Sequence, residues 1–189
     1  MRSPGRNALY CLVALLASAG LIRLGIGRGQ KMGEHWTSSS GDLPPDPAAV
    51  KIRTALAADI EAMHALRRRV TENALSDPRR VTEDSYLPYL ARGGAWVAET
   101  ESGLAGFAIL DVAGASVWAL FVAPEWEGLG VGRALLERLV EAAIGHGLRR
   151  LFLSTAPLTR AERFYTAAGW TRIGTTAAGE LSFARNLVS

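Results

Sequence analysis

Three glycines stand at alternate positions, Gly128, Gly130 and Gly132, between an apolar segment and a long amphipathic one. A stretch with no Cβ atoms turns tightly and presents successive backbone N–H groups. A helix starting directly behind it adds a partial positive charge. Val122-Ala-Pro-Glu-Trp-Glu-Gly-Leu-Gly-Val-Gly-Arg-Ala134 therefore has the chemistry of a phosphate or pyrophosphate site. No Gly-Lys-Ser/Thr follows, which excludes a Walker loop. The segment follows a hairpin strand instead of opening a βαβ unit, which argues against a dinucleotide fold. A plain β-to-α turn is the bland reading of the glycines taken alone.

The other reactive side chains mostly exclude chemistry. Cys11 is the single cysteine and lies near the N-terminus, so a disulfide scaffold, a cysteine-based zinc site and a cysteine nucleophile in the folded part are ruled out. His35, His64 and His146 show no ligand spacing, and no metal is expected. Glu72, Asp77 and Glu83 could relay a proton, but read more simply as solvated or capping acids. Arg67-Arg68-Arg69 reads as a solvated helix face, with a phosphate or an acidic ligand as the other option. Arg160 and Arg163 read the same way. The chain has 189 residues, 49% of them hydrophobic and 21% charged, with net charge +3. That suffices for one packed domain and is too weakly basic for a nucleic-acid arm.

These residues need elements to position them. Val50 to Arg53 alternates and predicts a strand. Asp59 to Thr71 predicts a helix, and Thr82 followed by Glu83 and Asp84 starts a second, ending near Arg92. Ala95–Glu99, Leu104–Asp111 and Ser116–Val122 predict a meander of antiparallel strands. Gly130 to His146 predicts a long helix with Val131, Leu135, Leu139 and Ala142 on its apolar stripe, widened by Leu136, Val140 and Ala143. Leu151–Thr155 predicts a central strand. Thr159-Arg-Ala-Glu162 is a capping box opening a short helix that Gly169 ends. Trp170–Ile173 and Glu180–Leu187 predict two last strands. The expectation is an α/β (α+β) domain over residues 49–189, with a mixed, mostly antiparallel central sheet of about seven strands and about four helices.

Two motifs in this order resemble the GNAT superfamily of acyl-CoA-dependent N-acetyltransferases. Glu127-Gly-Leu-Gly-Val-Gly132 matches the family's Q/R-x-x-G-x-G/A loop except at its first position. Ala161-Glu-Arg-Phe-Tyr-Thr-Ala-Ala-Gly-Trp170 matches A-x-x-F-Y-x-x-x-G-F/W in full. The resemblance implies the fold, acetyl-CoA as co-substrate, and transfer of its acetyl group to a primary amine by direct attack in a ternary complex. It places the pyrophosphate on the loop amides of Gly128, Leu129, Gly130, Val131, Gly132 and Arg133, with Glu127 and Ala134 completing the cofactor site. It places the pantetheine arm on the strand end Leu120, Phe121 and Val122, with an amide near Phe121 or Val122 polarising the thioester carbonyl. Tyr165 matches the tyrosine that protonates the departing thiolate. Three positions depart from the pattern. Glu127 puts an acid beside the phosphates, Ser116–Ala119 lacks the frequent carboxylate, and Leu158 replaces a frequent asparagine. The general base is therefore unidentified. A non-catalytic acyl-CoA sensor of the same fold is the alternative.

Residues 1–31 read as an extension: a signal-like or anchor segment, or a start assigned upstream of Met32. Arg2, Arg6 and the apolar run Ala8–Ile22 carry the first reading, and the run is too short for a spanning helix. Residues 32–48 read as linker. The expected partner is a small-molecule or peptide amine, with no nucleic acid and no stable membrane association unless residues 1–30 are retained. A homodimer is left open. Acyl-CoA is made and kept in the cytoplasm, so a cytoplasmic location is expected, with an anchored or exported protein as the alternative.

Overall fold

The computed structural model describes residues 12–14, 46–70 and 80–187. Its elements are β1 (Leu12–Ala14), β2 (Lys51–Thr54), α1 (Ile60–Arg69), α2 (Leu87–Leu90), β3 (Ala95–Thr100), β4 (Gly103–Asp111), β5 (Ser116–Val122), α3 (Val131–Gly145), β6 (Arg150–Thr155), α4 (Arg160–Ala167), β7 (Thr171–Thr175) and β8 (Leu181–Asn186). The main sheet runs β2-β3-β4-β5-β6-β8-β7. Its strands are antiparallel except where β6 joins β5. Seven strands and four helices are thus as the sequence implies, with β1 added. Most of the expected linker, and the candidate acids Glu72 and Asp77, lie outside the described residues.

The helices divide between the two faces of the sheet. Gly106 on β4 looks toward Val131 and Leu135 of α3, while its neighbour Phe107 packs edge-on against Tyr86. Adjacent strand residues point to opposite faces. The segment leading into α2 therefore lies across the sheet from α3. On β5, Val122 meets Gly132 of α3, whereas Phe121 stacks on Phe107. α3 buries Val131, Leu135, Leu136, Leu139, Val140 and Ala143, the stripe its 3.6-residue period predicts.

The helix expected over Thr82–Arg92 is broken. A 3₁₀ turn, Glu83–Tyr86, precedes the four-residue α2, with Pro88 in the first turn where its missing N–H costs nothing. Tyr86 is fully buried within the turn.

β5 carries the irregularity that matters for the site. Ile109 pairs with Ala119 but Leu110 pairs with Val117, so Trp118 is an extra residue in a bulge. Regular alternation would put Trp118 on the α3 side with Leu120 and Val122. The bulge turns it to the other face, against Tyr86 and Tyr89. β5 also parts from β6. The two strands pair only at Ser116 and Phe152, where the Phe152 N–H donates to the Ala115 carbonyl at 2.9 Å. Beyond that point β6 stays with β8, and Ala119–Phe121 takes β1 in parallel instead.

Candidate functional site: an open strand edge running into a glycine loop

The Ala123 N–H donates to the Ala105 carbonyl at 2.8 Å. Antiparallel pairs alternate between bonded and non-bonded. Ala123, Phe121 and Ala119 therefore direct their backbone groups into β4, and Leu120 and Val122 direct theirs to the side that β6 has left. The amide of Phe121, one of two expected to polarise a thioester, is committed to the sheet. That of Val122 faces the open edge.

This edge leads into the glycine loop. Gly128 and Gly130 have φ of +74° and +88°, a conformation that other residues adopt only with strain. Gly130 is the N-cap of α3. The first helical bond runs from the Ala134 N–H to the Gly130 carbonyl at 3.0 Å. The N–H groups left over in the first turn are thus those of Val131, Gly132 and Arg133, and the Ala134 amide is not among them. Gly132 serves packing: a Cβ there would lie 3.3 Å from Val122 Cγ2. In front lies a cavity of about 230 Å³ lined by Val122, Trp126, Glu127, Gly128, Gly130, Gly132, Arg133, Arg160, Phe164 and Ala167. The lining unites six expected cofactor residues with Arg160, for which a phosphate was the alternative reading, and with the unforeseen Trp126, Phe164 and Ala167. Leu120, Phe121, Leu129, Val131 and Ala134 contribute no lining.

Glu127 departs from what its charge suggested. Its side chain is only 5% exposed and pairs with Arg160 Nη1 at 2.5 Å. The acid in the loop is thereby neutralised by a cation delivered from α4, and Arg160 is no solvated bystander. α4 is held by Thr159, whose Oγ1 accepts from the Glu162 N–H at 3.3 Å. The Glu162 carboxylate accepts from the Leu158 N–H at 2.7 Å, one residue earlier than a capping box requires. Leu158 itself has φ +63° and is 92% exposed.

Tyr165 does not line the cavity. It is fully buried against Phe164, Trp170 and Phe183. On the opposite face of β5, Arg67 is 7% exposed, with its guanidinium 5.1 Å from the Trp118 ring centre and 4.9 Å from that of Phe121. The reading of Arg67 as a solvated residue is overturned. Positions 60, 63 and 67 form the buried stripe of α1, and the bulged Trp118 offers the cation an aromatic face. Arg69 stays exposed and pairs with both carboxylate oxygens of Glu125 at 2.9 Å, tying α1 to the loop entrance. His64 Nδ1 lies 3.4 Å from the Tyr86 hydroxyl. Burial holds the His64 pKa below its usual value, aided by Arg68, so the ring is neutral at pH 7. Burial also pushes the Tyr86 phenol up, against the opposing charge of Arg67. Glu83 is exposed. Among the described residues, no group of three or more His, Cys, Asp or Glu could hold a metal, and no helix is long and apolar enough to cross a membrane.

A split between two central strands, with a glycine loop and helix start at its mouth, is the geometry that the family match and the solved structures must account for. The chain belongs to the GNAT acetyltransferase family, whose model matches residues 60–170. Over 92 residues it is 35% identical to serotonin N-acetyltransferase 2, chloroplastic, from Oryza sativa subsp. japonica; the match spans 49% of this chain and 45% of that protein. The fold is similar to that of PaiA N-acetyltransferase from Thermoplasma acidophilum in complex with coenzyme A (TM-score 0.65, 16% identity, 72% of this chain and 98% of that one). It is also similar to YncA of Salmonella typhimurium, a putative acetyltransferase solved with acetyl-CoA (TM-score 0.60, 22% identity, 74% and 95%).

Proposed function

We propose that this chain transfers an acetyl group from acetyl-CoA to a primary amine, by direct attack in a ternary complex. The observation that carries this is the edge of β5 that β6 leaves, past the short β1 at Val122, running into the Gly128–Arg133 amides beside a cation-lined cavity. The amides of Val131, Gly132 and Arg133, with the helix start, suit the pyrophosphate. Leu120 and Val122 offer backbone groups to the amide-bearing pantetheine arm. The Val122 N–H then donates to the thioester carbonyl and to the oxyanion that forms on attack. An ammonium of pKa about 10.4 must lose its proton first. Among the described residues on the α1 side, His64 is the neutral base at pH 7 and is our proposed proton acceptor, directly or through water. Tyr165 is our proposed donor to the leaving thiolate. We further propose that the domain occupies residues 49–189 and works in the cytoplasm, where acyl-CoA is made.

The test is calorimetry with acetyl-CoA, followed by thiol release across an amine panel. Tyr165→Phe should lower turnover steeply with acetyl-CoA affinity unchanged. A second reading, an acyl-CoA sensor without turnover, is favoured by the complete burial of Tyr165 and by the lack of a carboxylate on Ser116–Ala119. Binding without thiol release from any amine would select it.

A further inference from the structure

We propose that the acceptor is a small amine bearing its own carboxylate, such as an amino acid, and that Arg67 receives that carboxylate. This rests on the transferase reading above and names its substrate class. An arginine does not deprotonate at any pH the fold survives, so burying it buries a charge. Arg67 Nε and Nη1 are both buried without a hydrogen-bond partner. No ion pair among the described residues includes Arg67. Stacking on Trp118 and Phe121 and a hydrogen bond to the Tyr86 side chain offset only part of the desolvation cost of a buried cation. The arrangement is therefore under-compensated as a packing device.

Its position supplies the reason. The phosphate cavity lies on the α3–α4 face of β5, so the thioester reaches the open edge from that side. A nucleophile attacking it enters from the α1–α2 face, where Arg67 lies over Phe121, the residue next to the Val122 amide. A guanidinium binds carboxylates along two edges, Nε with Nη2 and Nη1 with Nη2. Each edge of Arg67 retains one unpartnered nitrogen. The depth of the guanidinium suits a small molecule better than a surface peptide. A carboxylate there exchanges apolar surroundings for a charge-assisted pair and leaves the amine of the same molecule near β5.

Full-length protein with acetyl-CoA is assayed for thiol release with paired amines that differ only in the carboxylate: tryptophan against tryptamine, and alanine against ethylamine. The carboxylate member should win in kcat/KM by on the order of tenfold to a hundredfold. Arg67→Gln should erase that preference while leaving acetyl-CoA affinity and the rate with the plain amine unchanged, and Arg67→Lys should restore part of it. Calorimetry of N-acetyltryptophan against N-acetyltryptamine in the presence of CoA gives the same comparison without turnover. Arg67→Met should keep or raise Tm, because it relieves an uncompensated charge. A plain amine that does as well as its amino acid, a variant that weakens both partners equally, or a drop in Tm for Arg67→Met overturns the proposal. Loss of acetyl-CoA binding by the wild type would instead sink the transferase reading, while the N-acetyl pair still judges Arg67.

Discussion

Glu127 and Arg160 stand 33 residues apart in sequence, yet their side chains pair across the mouth of the cavity that we assign to the pyrophosphate. The carboxylate is the more deeply buried partner, so the two truncations are not equivalent. Arg160→Ala removes the cation paired with the nearly buried Glu127 carboxylate and should cost about 1–3 kcal/mol in denaturant unfolding. It should also weaken acetyl-CoA binding, because a cation lining the cavity is lost while the carboxylate of Glu127 stays. Glu127→Gln removes the anion and keeps a hydrogen-bonding group, so its unfolding cost should be smaller. Acetyl-CoA affinity should hold or improve, as calorimetry would show. Equal losses in the two variants would contradict this assignment.

Gly130→Ala addresses the loop directly. At φ +88° a Cβ is strained, although no neighbour lies within 4 Å of it. The cost is therefore conformational, about 1–2 kcal/mol. The loop amides should be displaced along with it, and acetyl-CoA affinity should fall more than stability alone explains. Gly145→Ala, also with open space around its Cβ but with no left-handed φ, is the control and should do neither.

The sequence made the glycine loop, the apolar stripe of α3 and the strand order legible, because each follows from local periodicity or from glycine's lack of a Cβ. It did not disclose the pairing of Glu127 with Arg160, which joins a loop to a helix through tertiary packing. Arg67 was misread. Its charge and its place in Arg67-Arg68-Arg69 argued for a solvated face, and the bulged Trp118, which offers the cation an aromatic ring, reverses that balance. A bulge leaves no signature in the alternation of Ser116–Val122, where nearly every residue is apolar. The burial of Tyr165 is similar: its place beside Phe164 allowed both packing and chemistry.

A pH dependence follows from Arg53. Its guanidinium donates to Asp59 at 2.7 and 2.9 Å and to Glu99 at 2.8 and 2.9 Å, fastening β2 to β3 and to the start of α1. The hydrogen bond to Arg53 holds the Asp59 carboxyl below its usual value, against burial. A depressed carboxyl contributes stability above its unfolded pKa, about 3.9, and loses that contribution as pH falls through the folded value. Asp59→Asn should therefore lower Tm at pH 7, and the gap from wild type should close below about pH 4. Thermal melts from pH 7 to 3 test the sign. A gap that persists at low pH would place the effect in packing instead of charge.

β1 bears on the same chemistry from the other side. It pairs Leu12 with Ala119, Val13 with Leu120 and Ala14 with Phe121, along the edge of β5 that the proposed pantetheine arm needs. One set of backbone groups cannot serve two strands. Since Leu120 faces the open side, parallel geometry makes its carbonyl accept from the Ala14 N–H. Ala14→Pro deletes that donor without changing any residue of β5 or of the loop. In the full chain it should tighten acetyl-CoA binding several-fold, in keeping with the roughly 1 kcal/mol of a lost hydrogen bond. An unchanged dissociation constant for Ala14→Pro would mean that β1 and the cofactor do not compete, and that the arm takes a route other than the open edge of Leu120 and Val122.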